Sequence, residues 1–149
     1  MQTSRSTIIA VILAAAATVA LADGFRPYPG ATRYSPPDTP ERREMLKALP
    51  PGTESIIYLS SDSFEKVVTY YKSVATQYTM PAMPGMPKVR KLPTGQELQQ
   101  AYFIFDGAKD LTVSKSWAQI QRPYIGSVDE NLQYHDVRDV TAITVSQKK

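Results

Sequence analysis

Asp62-Ser63-Phe64-Glu65-Lys66-Val67-Val68-Thr69-Tyr70-Tyr71-Lys72-Ser73-Val74-Ala75-Thr76-Gln77-Tyr78 is the stretch whose reading decides the fold. Phe64, Val67, Val68, Tyr71, Val74, Ala75 and Tyr78 recur at helical spacing and form one apolar stripe. Glu65, Lys66, Lys72 and Gln77 lie off it. Asp62 is a candidate N-cap, with Glu65 three residues on as its capping-box partner. The pattern predicts a long amphipathic helix over about residues 63–78. A helix with one stripe needs one sheet face to cover it.

The flanking segments supply strands. Over Glu54 to Ser60, Ile57 and Leu59 point one way, Ile56 and Tyr58 the other. From Gln99 to Phe105, Ala101, Phe103 and Phe105 share one side, Tyr102 and Ile104 the other. Asp106-Gly107 is a hairpin turn signal. Leu111 to Gln121 reads as the returning strand, with imperfect alternation and room for a bulge near Lys115. Residues 122–136, with Pro123 and Gly126, read as irregular. Arg138 to Ser146 is a last strand, with Ile143 and Val145 facing inward. Upstream, Thr39-Pro40-Glu41 starts a short helix over about 40–49, which Pro50-Pro51-Gly52 stops.

The expected architecture is an α+β domain over residues 40–149. It has about four largely antiparallel strands, the long helix on one face and the short helix near its start. The other face is expected to carry Ile56, Tyr58, Tyr102 and Ile104. That much apolar surface calls for a cover or a ligand. Partial cover by the segment before residue 40 is the favoured arrangement.

That preceding segment, residues 23–39, holds Pro27, Pro29, Pro36 and Pro37, so it reads as an extended arm. Phe25, Tyr28 and Tyr34 suit it to lie on the domain. Residues 1–22 form a basic start at Arg5, an apolar run from Ile8 to Leu21 and an Ala20-Leu21-Ala22 exit. These are the parts of a secretory signal peptide, so export to a periplasmic or extracellular location is expected, with the membrane met only in transit. The chain has no cysteine. Disulfides, thiolate metal sites and a lipid-bearing cysteine are thereby excluded. The net charge of +3 is spread along the chain, and no dense basic stripe points to nucleic acid.

Arg26-Pro27-Tyr28-Pro29-Gly30-Ala31, together with Tyr58 to Ser63, Val67-Val68 and Tyr70-Tyr71-Lys72, resembles a group of small bacterial exported proteins and lipoproteins. These carry a Y-P-G-A opening, a strand, S-D-S and a V-V-x-x-Y-Y-K helix. The resemblance implies a fold and an exported location, and no activity.

Three kinds of chemistry have candidates. Met80-Pro81-Ala82-Met83-Pro84-Gly85-Met86-Pro87 repeats Met-Pro-x. Soft thioethers suit Cu(I), but along an extended edge Met residues three apart lie about 9 Å from one another. One ion can be shared only if the loop folds back. The plainer reading of the loop is adaptable packing. His135 is the only histidine; no G-x-S-x-G elbow accompanies it, and a hydrogen-bonded loop residue is its simplest role. Asp129, Glu130, Asp136 and Asp139 read as a solvated cluster. Lys88, Arg90 and Lys91 form a small basic group beside the Met-Pro loop. Tyr58, Tyr102 and Trp117 are the candidates for a binding surface. The expected function is therefore a non-catalytic exported binding protein for an envelope protein or small ligand, without a cofactor. The alternatives are copper handling through Met80, Met83 and Met86, or a hydrolase centred on His135.

Overall fold

The computed structural model describes residues 24–149. The signal-peptide reading of residues 1–22 lies outside them. The chain is mostly β, which corrects the expected four-stranded α+β arrangement. Nine strands and two short helices succeed one another: β1 (Thr32–Tyr34), α1 (Pro40–Lys47), β2 (Thr53–Ser60), α2 (Phe64–Val74), β3 (Thr76–Tyr78), β4 (Arg90–Lys91), β5 (Glu97–Ile104), β6 (Ser116–Arg122), β7 (Tyr124–Val128), β8 (Tyr134–Arg138) and β9 (Thr141–Lys148). The main sheet has seven strands in the order β1-β2-β9-β6-β5-β3, with β4 also on β5. β7 and β8 form a separate hairpin. Every pairing is antiparallel.

The long helix is shorter than its apolar pattern. Ser63, not Asp62, is its N-cap, and its hydroxyl accepts the Lys66 amide at 3.2 Å. The helix ends at Val74. Ala75 is extended, and Thr76–Tyr78 pairs with Tyr102–Ile104 of β5. Thr76 is β-branched and Tyr78 aromatic, so both fit a pleated edge. Pairing with β5 overrides the helical periodicity there. The short helix starts as expected at Pro40, capped by Thr39, whose hydroxyl accepts the Arg42 amide.

The return after Phe105 is also wider than expected. Asp106 organises a loop in place of a tight hairpin. Its carboxylate accepts the Lys115 amide at 2.6 Å, the Ser114 hydroxyl at 2.9 Å and the Ala108 amide at 3.3 Å. The strand resumes only at Ser116, which accounts for the broken alternation before it.

The core lies between α2 and one face of the sheet. Val67, Val68 and Tyr71 of α2 meet Ala101, Phe103, Ala118, Ile120, Ile143 and Val145. The proline-rich arm closes this side. Phe25 packs edge-on to Phe105 at 5.2 Å and stacks on Tyr71 at 6.2 Å. Tyr28 meets Tyr70 edge-on at 5.2 Å, and its hydroxyl donates to Asp62 at 2.6 Å. Tyr71 is fully buried and donates to the Arg26 carbonyl at 3.1 Å. The front of the arm, through Phe25 and Tyr28, therefore covers the α2 side, where these aromatics find their apolar partners, and only Tyr34 farther along packs on the opposite face.

Candidate functional site

The pleat decides what the other face carries. Cross-strand partners Tyr58, Ile143, Ile120 and Ala101 run in one row across β2, β9, β6 and β5. Ile143, Ile120 and Ala101 belong to the core beneath α2, so Tyr58 does too, and its ring lies 6.0 Å from that of Phe25. The neighbouring row, Ile57, Thr144, Gln119 and Tyr102, faces away from α2. Tyr102 and Trp117 are thus brought together on the face opposite α2, and Tyr58 is not. The correction is a phase reversal of β2. Alternation fixes the period of two but not which phase looks inward.

This second face is the floor of a cavity of about 380 Å³, within the range of small-ligand sites. Ser55 and Ile57 of β2, Ala142, Thr144 and Ser146 of β9, Trp117, Gln119 and Gln121 of β6, and Leu98, Gln100 and Tyr102 of β5 form the floor. One wall is α1 with Leu49 beyond its end, contributing Arg42, Met45 and Leu46. The other is the β7–β8 hairpin, contributing Tyr124, Ile125, Gly126, Val128 and Tyr134. Among the described residues no acidic side chain and no histidine lines the cavity, while Arg42 and Arg90 do.

The floor is a hydrogen-bonded amide lattice. Gln100 Nε2 donates to Gln121 Oε1 at 2.9 Å, and Gln119 Nε2 divides itself between Gln121 Oε1 at 3.2 Å and the Tyr102 hydroxyl at 3.3 Å. Gln121 Nε2 is spent on the Pro123 carbonyl, and Ser55 and Ser146 share a hydrogen bond at 2.9 Å. Burial pushes the Tyr102 phenol up. Trp117 lies on the floor near the start of β6, with the Lys148 ammonium 5.5 Å from its ring centre. Ile57, Tyr124 and Ala142 form a small second core that seats the hairpin on the sheet. Tyr124 is buried, its hydroxyl has no hydrogen-bond partner, and burial pushes its pKa up to about 12.

The hairpin wall is held by charged groups outside the cavity. Arg138 pairs with Asp136 at 2.7 Å and donates to the Tyr34 hydroxyl at 2.8 Å, and its guanidinium lies 4.6 Å from the Tyr34 ring centre. The Arg138 bond holds Asp136 below the usual carboxylate range. Tyr34 in turn meets Tyr124 edge-on at 5.4 Å, so β1, the hairpin and the cavity wall are one packed unit. Gly126 permits the close approach of β7 and β8, since a Cβ there would lie 2.7 Å from the Asp136 Cβ.

The other sequence candidates fall elsewhere. His135 is exposed on β8, and its Nε2 lies 2.7 Å from Asp129 Oδ2. Asp129 Oδ1 also takes the Asn131 and Gln133 amides, so the pair closes the β7–β8 turn. Asp139 pairs with Arg122. Met80, Met83 and Met86 line a second cavity of about 410 Å³ beside the first, with Arg90, Leu98, Gln100 and Tyr102 common to both. Sequence reasoning passed over Gln100, Gln119 and Gln121. Their only signal is that uncharged amides occupy the alternate positions of two adjacent strands. No family model, curated protein or solved structure matches this chain.

Proposed function

We propose that this is an exported, non-catalytic binding protein, and that the cavity between the sheet, α1 and the β7–β8 hairpin is its ligand site. The observation that carries the reading is the floor. A sheet face roofed by a helix and a hairpin is ordinarily filled with interlocking apolar side chains. Here it carries three glutamines, a tyrosine and a tryptophan beneath open volume. Such groups cost stability unless they are paired, and they gain most when a ligand completes their hydrogen bonds.

The chemistry of the lining selects the ligand class. Planar amides and hydroxyls match hydroxyl or amide groups, aromatic faces match an apolar flank, and Arg42 and Arg90 favour neutral or anionic molecules over cations. An amphipathic molecule rich in hydroxyl or acetamido groups, such as an envelope saccharide, fits all three demands. The signal-peptide pattern of residues 1–22 places such a ligand within reach.

Trp117 is the only tryptophan of the chain, so its fluorescence reports the site directly. Titration with neutral and acidic oligosaccharides is expected to shift or quench that emission with saturation. Trp117→Phe with Tyr102→Ala is expected to abolish binding measured by calorimetry. Unchanged affinity in that double variant would refute the assignment of the site.

A further inference from the structure

We propose that Met80, Met83 and Met86 form a thioether site for a soft monovalent cation of the Cu(I) class. An extended Met-Pro-x repeat would hold its sulfurs too far apart for one ion, and the loop is not extended. The Met86 amide donates to the Met83 carbonyl at 3.2 Å across Pro84-Gly85, and Gly85 has φ of +80°. Pro followed by a left-handed glycine, closed by that bond, is a type II turn, which brings the Cα atoms of Met83 and Met86 within about 7 Å. Met80 lines the same cavity from the incoming limb.

All three side chains are accessible, at 51%, 66% and 48% exposure. Methionines serving as core filler would be buried instead. The neighbours select the ion. Lys88 and Arg90 line the cavity, and among the described residues no carboxylate or imidazole does. Hard divalent cations find no oxyanion there and meet two positive charges. A monovalent ion suffers half that repulsion, which salt screens at an exposed site, and neutral thioethers are ligands for soft ions. The site does not depend on the ligand assigned to the neighbouring cavity.

The test titrates the full chain with Cu(I), kept reduced by ascorbate, against a coloured Cu(I) chelator. Competition at micromolar affinity or better and one ion per chain are expected. Met83→Leu should weaken binding at least tenfold, and Met80→Leu/Met83→Leu/Met86→Leu should abolish it. Leucine keeps the apolar surface, so a loss identifies the sulfur and not packing. Met45→Leu and His135→Ala should leave affinity unchanged. The unfolding temperature of each variant, unchanged because the side chains are exposed, separates lost ligands from lost structure. Should the triple variant unfold, the Met83→Leu affinity decides alone. Failure of the wild-type chain to compete, or undiminished binding by the leucine variants, would overturn the proposal.

Discussion

Gln119→Val separates a floor built for a ligand from one built for the fold. Gln119 sits at the centre of β6, flanked by β5 and β9. Its amide nitrogen makes two long, shared hydrogen bonds, at 3.2 and 3.3 Å. Losing them costs about 0.5–1 kcal/mol. Gln121 Oε1 keeps its 2.9 Å bond from Gln100, and the partly buried Tyr102 hydroxyl faces the open cavity, so no acceptor is stranded. Against that loss, valine gains up to about 1 kcal/mol of strand preference and spares the roughly 1.5 kcal/mol needed to immobilise a glutamine side chain. The expected change is about 0.5–2 kcal/mol more stable, read as a rise in the urea midpoint at constant slope. Affinity for the oligosaccharide that shifts Trp117 emission should fall at least tenfold in the same variant. Destabilisation beyond about 1.5 kcal/mol would mean that the amide lattice is a structural network, and the reasoning from floor to ligand would fail.

Arg122→Ala should destabilise by about 2–4 kcal/mol in urea unfolding, because the guanidinium donates to the Asp62 carbonyl, the Thr141 hydroxyl and both the side chain and carbonyl of Asp139. Gly126→Ala should cost about 1–3 kcal/mol in thermal unfolding by forcing β7 away from Asp136, and it should weaken ligand binding with it. The Tyr28–Asp62 bond pushes the Tyr28 phenol up to about 12 and holds Asp62 below the usual carboxylate range. The Tyr28 contribution is complete below pH 10 and disappears as the pH rises through 12. The Asp62 contribution is complete above the ordinary carboxylate pKa near 4 and disappears as the pH falls through its lowered value. Tyr28→Phe should therefore flatten both limbs of the stability–pH curve measured by urea midpoint, and unchanged limbs would show that the bond is not formed in solution.

Local chemistry made some elements legible in the sequence and hid others. The start of α1 was readable because its cap acts within four residues, whereas at α2 two adjacent capping residues compete and Ser63, not the expected Asp62, caps the helix. The end of α2 was not, because Thr76–Tyr78 answers to β5, far along the chain. β7 and β8 escaped because Pro123 stands just before one strand and Gly126 within it, and the other is polar, with His135, Asp136 and Arg138 exposed. Their pairing depends on seating Tyr124 against Ile57 and Ala142. Within the site, Tyr102 and Trp117 stood out as large aromatics off the core phase. The glutamines between the core residues looked like ordinary solvent-facing positions, and only the roof of α1 and the hairpin turns them into a floor. Tyr58 went to the wrong face because Phe25, more than thirty residues earlier, is its partner.

The place of β9 has a consequence for how the molecule comes into being. The last strand in sequence is the keystone of the sheet, bonded to β2 on one side and β6 on the other. Until residues 141–148 are free to pair, β1 and β2 form one half-sheet and β3, β5 and β6 another, each with an open inner edge. Those edges belong to strands separated by more than fifty residues, so assembly waits on a slow, long-range encounter. Open edges are templates for other chains in the meantime. A chain emerging from its N-terminus would thus expose every other strand of the sheet before β9 could close it. The period between synthesis and closure is when these inner edges are most open to pairing with other chains.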